Sequence, residues 1–352
     1  MLRGNGTKRR GPIGFMVVIA VLVGAGAGAF AYTAGWLSPS RLTPARLVDA
    51  LAPPGGPALG HRRNHAKGVC FTGEFISNGT GTTLSEAAVF EPGAYPVLGR
   101  FNLATPDPDA PDATVRIRGM GLQITAPNGQ VWRSAMIDAP VFLVSTPQAF
   151  YAFLEASKSK NPDAMKQFIT AHPESLAFLQ WATTGAWTGS YAEERFNSLD
   201  SFAFTNAAGE TNIVRWSLLP AAPVEPITPA ALANLGPDYL ENEIAERVSK
   251  APQSWTLEVT VAAPGDPTAD ATKAWPADRK TISVGTLSVQ QVEPEISGPC
   301  LNINFDPTVL PPGMTTSDDP LPAARSAAYA VSYNRRTAES ADYPGKVAGA
   351  AP

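Results

Sequence analysis

The chain is poor in the residues that usually hold metals. It has two cysteines, Cys70 and Cys300, in 352 residues. That count excludes a disulfide-dense scaffold and any four-cysteine zinc or iron–sulfur site. Three histidines, His61, His65 and His172, leave little room for a histidine-rich centre, so a resident metal must be held by few ligands or by unusual ones. Low complexity is absent as well: 30 glycines and 34 prolines make 18% of the chain, below the roughly 25–30% of low-complexity sequences. Hydrophobic residues, at 44%, allow a sizeable core. Positive charge is scarce beyond the start. Residues 1–31 hold Arg3, Lys8, Arg9 and Arg10 and no acid, which leaves 23 basic against 31 acidic residues, a net −8. Nothing in that balance attracts a phosphate backbone, and nucleic acid is excluded as a partner.

What is present begins with an uncharged stretch from Gly11 to Ser40, apolar from Phe15 to Ala31. At about 20 residues per crossing it can span a bilayer. The flanking Lys8-Arg9-Arg10 predicts a cytoplasmic N-terminus, with the remainder on the far side. Ala29-Phe30-Ala31 also fits a signal-peptidase site. The reading adopted for residues 1–37 is an uncleaved membrane anchor, which puts the remainder of the chain on the periplasmic face of the inner membrane. Cleavage would release it into the periplasm instead. That compartment permits a Cys70–Cys300 disulfide, but two separate buried thiols fit the sequence equally well.

Residues 38–54 read as a linker carrying one short helix, Pro44 to Leu51. From residue 68 to 144, short apolar segments alternate with turn signals: Gly68–Ile76, Ser85–Val89, Val97–Leu103, Thr114–Thr125 and Gln130–Ile137. Asn128-Gly129 is a strong hairpin signal. Residues 147–184 change to helical spacing in three runs, two opened by Pro147 and Pro173. Strands are expected again at 201–205, 210–218, 254–262 and 280–291. Helices are expected at 229–235, 239–251 and 319–333, followed by a flexible tail over 334–352. The fold class is α+β: an antiparallel β-barrel with surrounding helices, in a single domain over residues 55–333.

Most catalytic signatures fail. The His61/His65 pair lacks a zincin glutamate, Gly119-Met120-Gly121 lacks the third glycine of a dinucleotide loop, and no G-x-S-x-G or P-loop occurs. The absence of C-x-x-C-H excludes c-type haem. What remains is a series in order: Arg62-Arg63-Asn64-His65-Ala66-Lys67-Gly68, Arg100-Phe101, Arg116-x-Arg118-Gly119, Pro140-Val141-Phe142, Phe196-Asn197 through Ser201 to Phe204, and Arg325-x-x-x-Tyr329. Arg325 and Tyr329, at i and i+4, share a helix face. A phenol becomes an iron ligand only if its anion is stabilised, and a neighbouring guanidinium does this.

The series resembles the haem catalases, and the short chain resembles their small, often exported branch, the catalase-related peroxidases. The resemblance spans about residues 55–333. It implies a barrel of the haem catalase type binding haem b (iron protoporphyrin IX). Tyr329 would be the axial iron ligand, Arg325 its charge partner and His65 the catalytic base above the haem. Arg62 and Arg100 would reach the propionates, and Phe150 would pack on the porphyrin. Two positions depart from the family pattern. Asn102 stands where a serine holds the histidine, and Asp138 stands where a distal asparagine is expected. The second departure favours peroxidase over fast catalase turnover. The implied activity is reduction of hydrogen peroxide or an organic hydroperoxide by an unidentified organic donor, with weak catalase activity. A hydroperoxide isomerase or lyase, or a non-enzymatic haem- or lipid-binding barrel, would use the same scaffold. A homodimer or monomer is expected, because the chain is too short for the interlocking arms of full catalases.

Overall fold

A computed structural model describes residues 12–38 and 41–342. The basic cluster before residue 11 and the end of the tail from 343 lie outside them. The first helix, α1 (Pro12–Thr33), is uncharged and uncovered by the rest of the protein. Its 22 residues rise about 33 Å, enough for the roughly 30 Å apolar core of a bilayer. Helix α2 (Pro44–Leu51) is capped by the Thr43 hydroxyl, which accepts from Arg46 N.

The body alternates strands and helices. Strands β1 (Gly68–Ser77), β2 (Gly93–Leu103), β3 (Arg118–Thr125) and β4 (Val131–Ile137) form a meander, with Asn128-Gly129 at its last turn. Helices α3 (Pro147–Lys158), α4 (Ala164–Ala171) and α5 (Leu176–Thr184) follow, matching the three helical runs expected there. Next come β5 (Trp187–Thr188), β6 (Phe196–Asn197), β7 (Phe202–Thr205), β8 (Thr211–Pro220) and β9 (Pro226–Ile227). Helices α6 (Pro229–Leu232) and α7 (Tyr239–Lys250), strands β10 (Gln253–Val261), β11 (Thr281–Pro294) and β12 (Met314–Thr316), and helix α8 (Leu321–Asp342) complete the chain.

Eight strands close in the order β10-β11-β1-β2-β3-β4-β6-β8, with β8 pairing back to β10, and β7 and β12 extend from β8. Closure removes the exposed edges that an open sheet would leave. Strand residues alternate inward and outward. Trp255, Leu257 and Val259 of β10 are buried with Phe71, Phe101 and Phe196 in the barrel, each worth about 1.5–3 kcal/mol of transfer free energy. The expected antiparallel barrel with surrounding helices is the observed architecture.

Three local expectations are corrected. Ser85–Val89 is not a strand. The Ser85 hydroxyl accepts from Ala87 N and donates to Gly313 O, bending the chain between short 3₁₀ turns at Thr80–Thr83 and Ala88–Phe90. The helix at 229–235 ends at Leu232. The last helix does not stop at 333: it runs to Asp342, because no glycine or proline occurs between residues 334 and 343. Its added turns carry Arg335, paired with Asp49, buried Arg336, and Glu339, which pairs with Arg63 and accepts from Gly60 N. The segment read as linker is also docked. Leu47, Val48 and Ala50 of α2 pack on Leu154 of α3 and Ala328 of α8. Cys70 and Cys300 are disulfide-bonded, which settles the question the sequence left open.

Candidate active site

One cavity lies between the barrel and the α2–α3–α8 helices. It is lined by His65, Asn102, Arg62 and Arg100 from the barrel side, and by Phe150, Arg325, Tyr329 and Arg336 from the helices. Seven of the eight residues singled out in the sequence therefore meet in one place.

His65 sits just before β1 with φ 56°. Left-handed backbone on a non-glycine residue costs free energy and persists only where the surroundings impose it. Here Arg100 on β2 imposes it, donating to His65 O at 2.9 Å and to Ala66 O at 3.2 Å. The only other described non-glycine residue with positive φ, Leu199, lines the same cavity. The His65 imidazole is fixed by Asn102, with Nδ1 2.6 Å from Asn102 Oδ1. An amide oxygen accepts, so Nδ1 carries the proton and Nε2 keeps its lone pair. Asn102 lies opposite Gly119 on β3, where a Cβ would stand 2.4 Å from the amide oxygen. Glycine at that position makes room for the contact. Burial pushes His65 down to about 4, further lowered by Arg100, Arg325 and Arg62 and only partly opposed by Asn102. The ring is a neutral proton acceptor across the physiological range.

Tyr329 and Arg325 occupy successive turns of α8. Arg325 donates to Tyr329 Oη at 3.2 Å and to Ala135 O of β4 at 2.9 Å, and it pairs with buried Asp200. Burial opposes the Arg325 charge, but Tyr329 and Asp200 outweigh it and hold the guanidinium above its ordinary value. A permanent positive charge therefore stands beside the phenol oxygen. Phe150 extends an aromatic row through Phe142, 5.8 Å away, and Phe153, 6.4 Å away.

At one edge, Arg62 and Arg100 share the carboxylate of Glu295. Arg62 also donates to Ile303 O at 2.9 Å and Cys300 O at 3.3 Å. Arg336 donates to Leu301 O at 2.7 Å. Burial and the nearby Arg100 charge push Arg62 down to about 9, as expected of crowded cations short of anions. Arg100 Nε is buried without a partner.

Asp138 is the correction. It does not line the cavity. One carboxylate oxygen accepts from Arg118 N at 3.0 Å and the other pairs with Arg116 at 3.1 Å. Burial and Glu194 push it up to about 8. A carboxylate cannot replace an amide donor facing the cavity when those two contacts turn it away. Asn197, which does line the cavity, spends its amide on Ala139 O at 3.0 Å.

Sequence reasoning missed Arg336, Asp200 and Glu295. Arg336 had a signal: it lies seven residues after Tyr329, on the same helix face, but beyond the expected helix end. Asp200 lies inside the recognised Phe196–Phe204 motif without marking itself. Glu295 follows a long strand, two residues after Glu293, and only the three-dimensional structure connects it to the arginines.

The family model for catalase matches residues 31–343. A catalase-related peroxidase of Synechococcus elongatus is 34% identical over 302 residues, covering 84% of this chain and 89% of the relative. Another from Mycolicibacterium paratuberculosis is 29% identical over 84% of this chain and 95% of its own length. A solved bacterial catalase superposes with a TM-score of 0.71 at 22% identity, over 79% of this chain but 58% of that longer protein. A fungal catalase gives the same TM-score at 21% identity. A matching family model over most of the sequence, a relative above 30% identity and the shared barrel lead to one conclusion: the chain belongs to the catalase family.

Proposed function

We propose that the protein is a haem b peroxidase, an oxidoreductase that reduces hydrogen peroxide or an organic hydroperoxide with electrons from an organic donor, and that its catalase activity is weak. The observation that carries the reading is the pairing, across one cavity, of a neutral histidine with a free Nε2 and a tyrosine whose oxygen faces a charged guanidinium.

The residues present fit a haem. Phe150 and Phe142 offer apolar walls for a planar macrocycle. Arg62, Arg100 and Arg336 offer excess positive charge, including the unpartnered Arg100 Nε–H, for two carboxylates. Tyr329 offers an oxygen ligand, its Oη 3.2 Å from the Arg325 guanidinium. Bound haem would supply the iron at which the peroxide O–O bond breaks and would store the two oxidising equivalents released.

His65 Nε2 accepts the proton from the inner peroxide oxygen and delivers it to the departing one, which leaves as water. Asn102 keeps the ring in the tautomer that can do this and returns it to the same orientation for each turnover. The donor then provides two electrons, and with two protons in all one peroxide becomes two waters. Leu47, Val48 and Leu51 of α2, with Phe142, make the cavity mostly apolar, and low local polarity strengthens each charge interaction inside it. With Asp138 turned away and the Asn197 amide engaged, a second peroxide finds few free donors, which favours an organic reductant over disproportionation. Helix α1 supports attachment to a membrane, with the barrel on its periplasmic side.

The test is peroxide consumption by the purified, haem-loaded full chain with and without a phenolic donor. Turnover that requires the donor, with little oxygen released, supports the reading. Rapid oxygen release without donor would make the protein a catalase. Rearrangement of a fatty-acid hydroperoxide without donor oxidation would make it an isomerase.

A further inference from the structure

Three guanidiniums, Arg62, Arg100 and Arg336, line one edge of the cavity, and a carboxylate of the chain itself, Glu295, pairs with Arg62 and Arg100 behind it. Glu295 follows the end of β11. Its side chain is 15% exposed, and each of its oxygens takes a different arginine. Burial pushes the carboxyl up, but Arg100 and Arg62 outweigh this and hold it below its ordinary value. The same short segment, from 295 to 303, supplies the other fixed points. Cys300 O and Ile303 O receive Arg62, and Leu301 O receives Arg336.

This segment consists of turns, so its own hydrogen bonds do not explain its position. The disulfide does. Cys70 lies on β1, paired on both sides by β2 and β11, and is fully buried. Its bond to Cys300 pins the turns to the barrel wall. Cys300 N also donates to Cys70 Sγ at 3.2 Å. Gly298 lies flush on the sulfur, where a Cβ would approach to 2.7 Å.

We propose that Glu295 is a positioning residue for the two carboxylates of a porphyrin, and that the Cys70–Cys300 disulfide is its tether, so that porphyrin retention depends on the oxidised disulfide. This rests on the haem reading above. Glu295 holds two mutually repelling arginines in fixed orientations. It also reduces the local charge from three positive to two positive, which matches a dicarboxylate. On reduction, Cys70 and Cys300 gain two electrons and two protons from a dithiol, which closes into its own disulfide. The 295–303 turns then lose their covalent tie to β1 and keep only non-covalent contacts, the arginine bonds and the packing of Cys300 and Ile303 beside Phe305.

The test measures loss of metal-free protoporphyrin IX from the full chain in detergent, by fluorescence on transfer to excess albumin. Its dimethyl ester, which lacks the carboxylates, is the comparison probe. Oxidised wild type, dithiothreitol-reduced wild type and Glu295→Gln are compared, with far-UV circular dichroism to confirm the barrel. The expected result is protoporphyrin loss about tenfold faster in the reduced protein and in Glu295→Gln, the scale seen when partners of a ligand-holding group are removed, with ester rates unchanged. Equal or slower protoporphyrin loss in both overturns the proposal, as does equal acceleration of the ester, which would mark a general loosening. If oxidised wild type binds neither probe, the haem reading falls with it.

Discussion

On the barrel side of the cavity, His65, Arg100 and Asn102 hang from β2 and the lead-in to β1, strands hydrogen-bonded on both flanks. On the other side, Tyr329, Arg325 and Arg336 project from one long helix, held by α2 and by side-chain pairs to the barrel. The barrel side is fixed by ladder geometry at Arg100 and Asn102, and these two side chains in turn hold His65. The helical side is fixed by packing and by ion pairs such as Arg63–Glu339. In the proposed reading the proton chemistry belongs to the rigid wall, and cofactor binding is shared between Arg62 and Arg100 on that wall and the residues of α8 on the other.

That division can be broken at several points. The largest expected effect is from His65→Ala: peroxide turnover should fall about 10³-fold, the usual scale for a lost acid–base group, with haem content unchanged. Haem loss in that variant would mean that His65 also holds the cofactor. Leu47→Ala, in the α2–α3–α8 packing, should cost about 2 kcal/mol of stability, measured by denaturant titration of the apoprotein. Arg336→Ala should speed haem loss about tenfold, while turnover per bound haem, counted by absorbance, stays near wild type.

The pH dependence separates the two walls differently. The folded value of His65 lies below its ordinary 6.5, at about 4, so the folded state binds fewer protons there. The stability associated with neutral His65 is fully present above pH 6.5 and is lost as pH falls toward 4. The acid limb of peroxide turnover should lie near pH 4, and a limb near 6.5 would place His65 in water. The smallest effect is expected from Asp49→Ala, which removes a solvent-exposed pair with Arg335 and should change stability by less than about 1 kcal/mol.

The rigid wall was the more legible one. Arg100 and Asn102 sit in a strand segment whose apolar alternation and turn residues are local signals, His65 lies in the lead-in to the first strand, and the Asn128-Gly129 hairpin announces itself. The docking wall was read only in part. Arg325 and Tyr329 were visible as an i, i+4 pair, but α2 looked like linker because its apolar face has no local partner. Arg336 and Glu339 looked like tail because what holds them, Leu301 O and Arg63, lies far away in sequence. Asp138 illustrates the limit in the other direction. Its position beside Pro140-Val141-Phe142 suggested a cavity group, and only the Arg116 and Arg118 contacts explain why it faces elsewhere.

The central claim is that Tyr329 binds the iron of a haem held opposite His65. The most direct measurement is the absorption spectrum of the haem-loaded full chain beside that of Tyr329→Phe. The account predicts a high-spin ferric tyrosinate spectrum in wild type that is lost in the variant. Identical spectra, or no Soret band in wild type after loading, would contradict it.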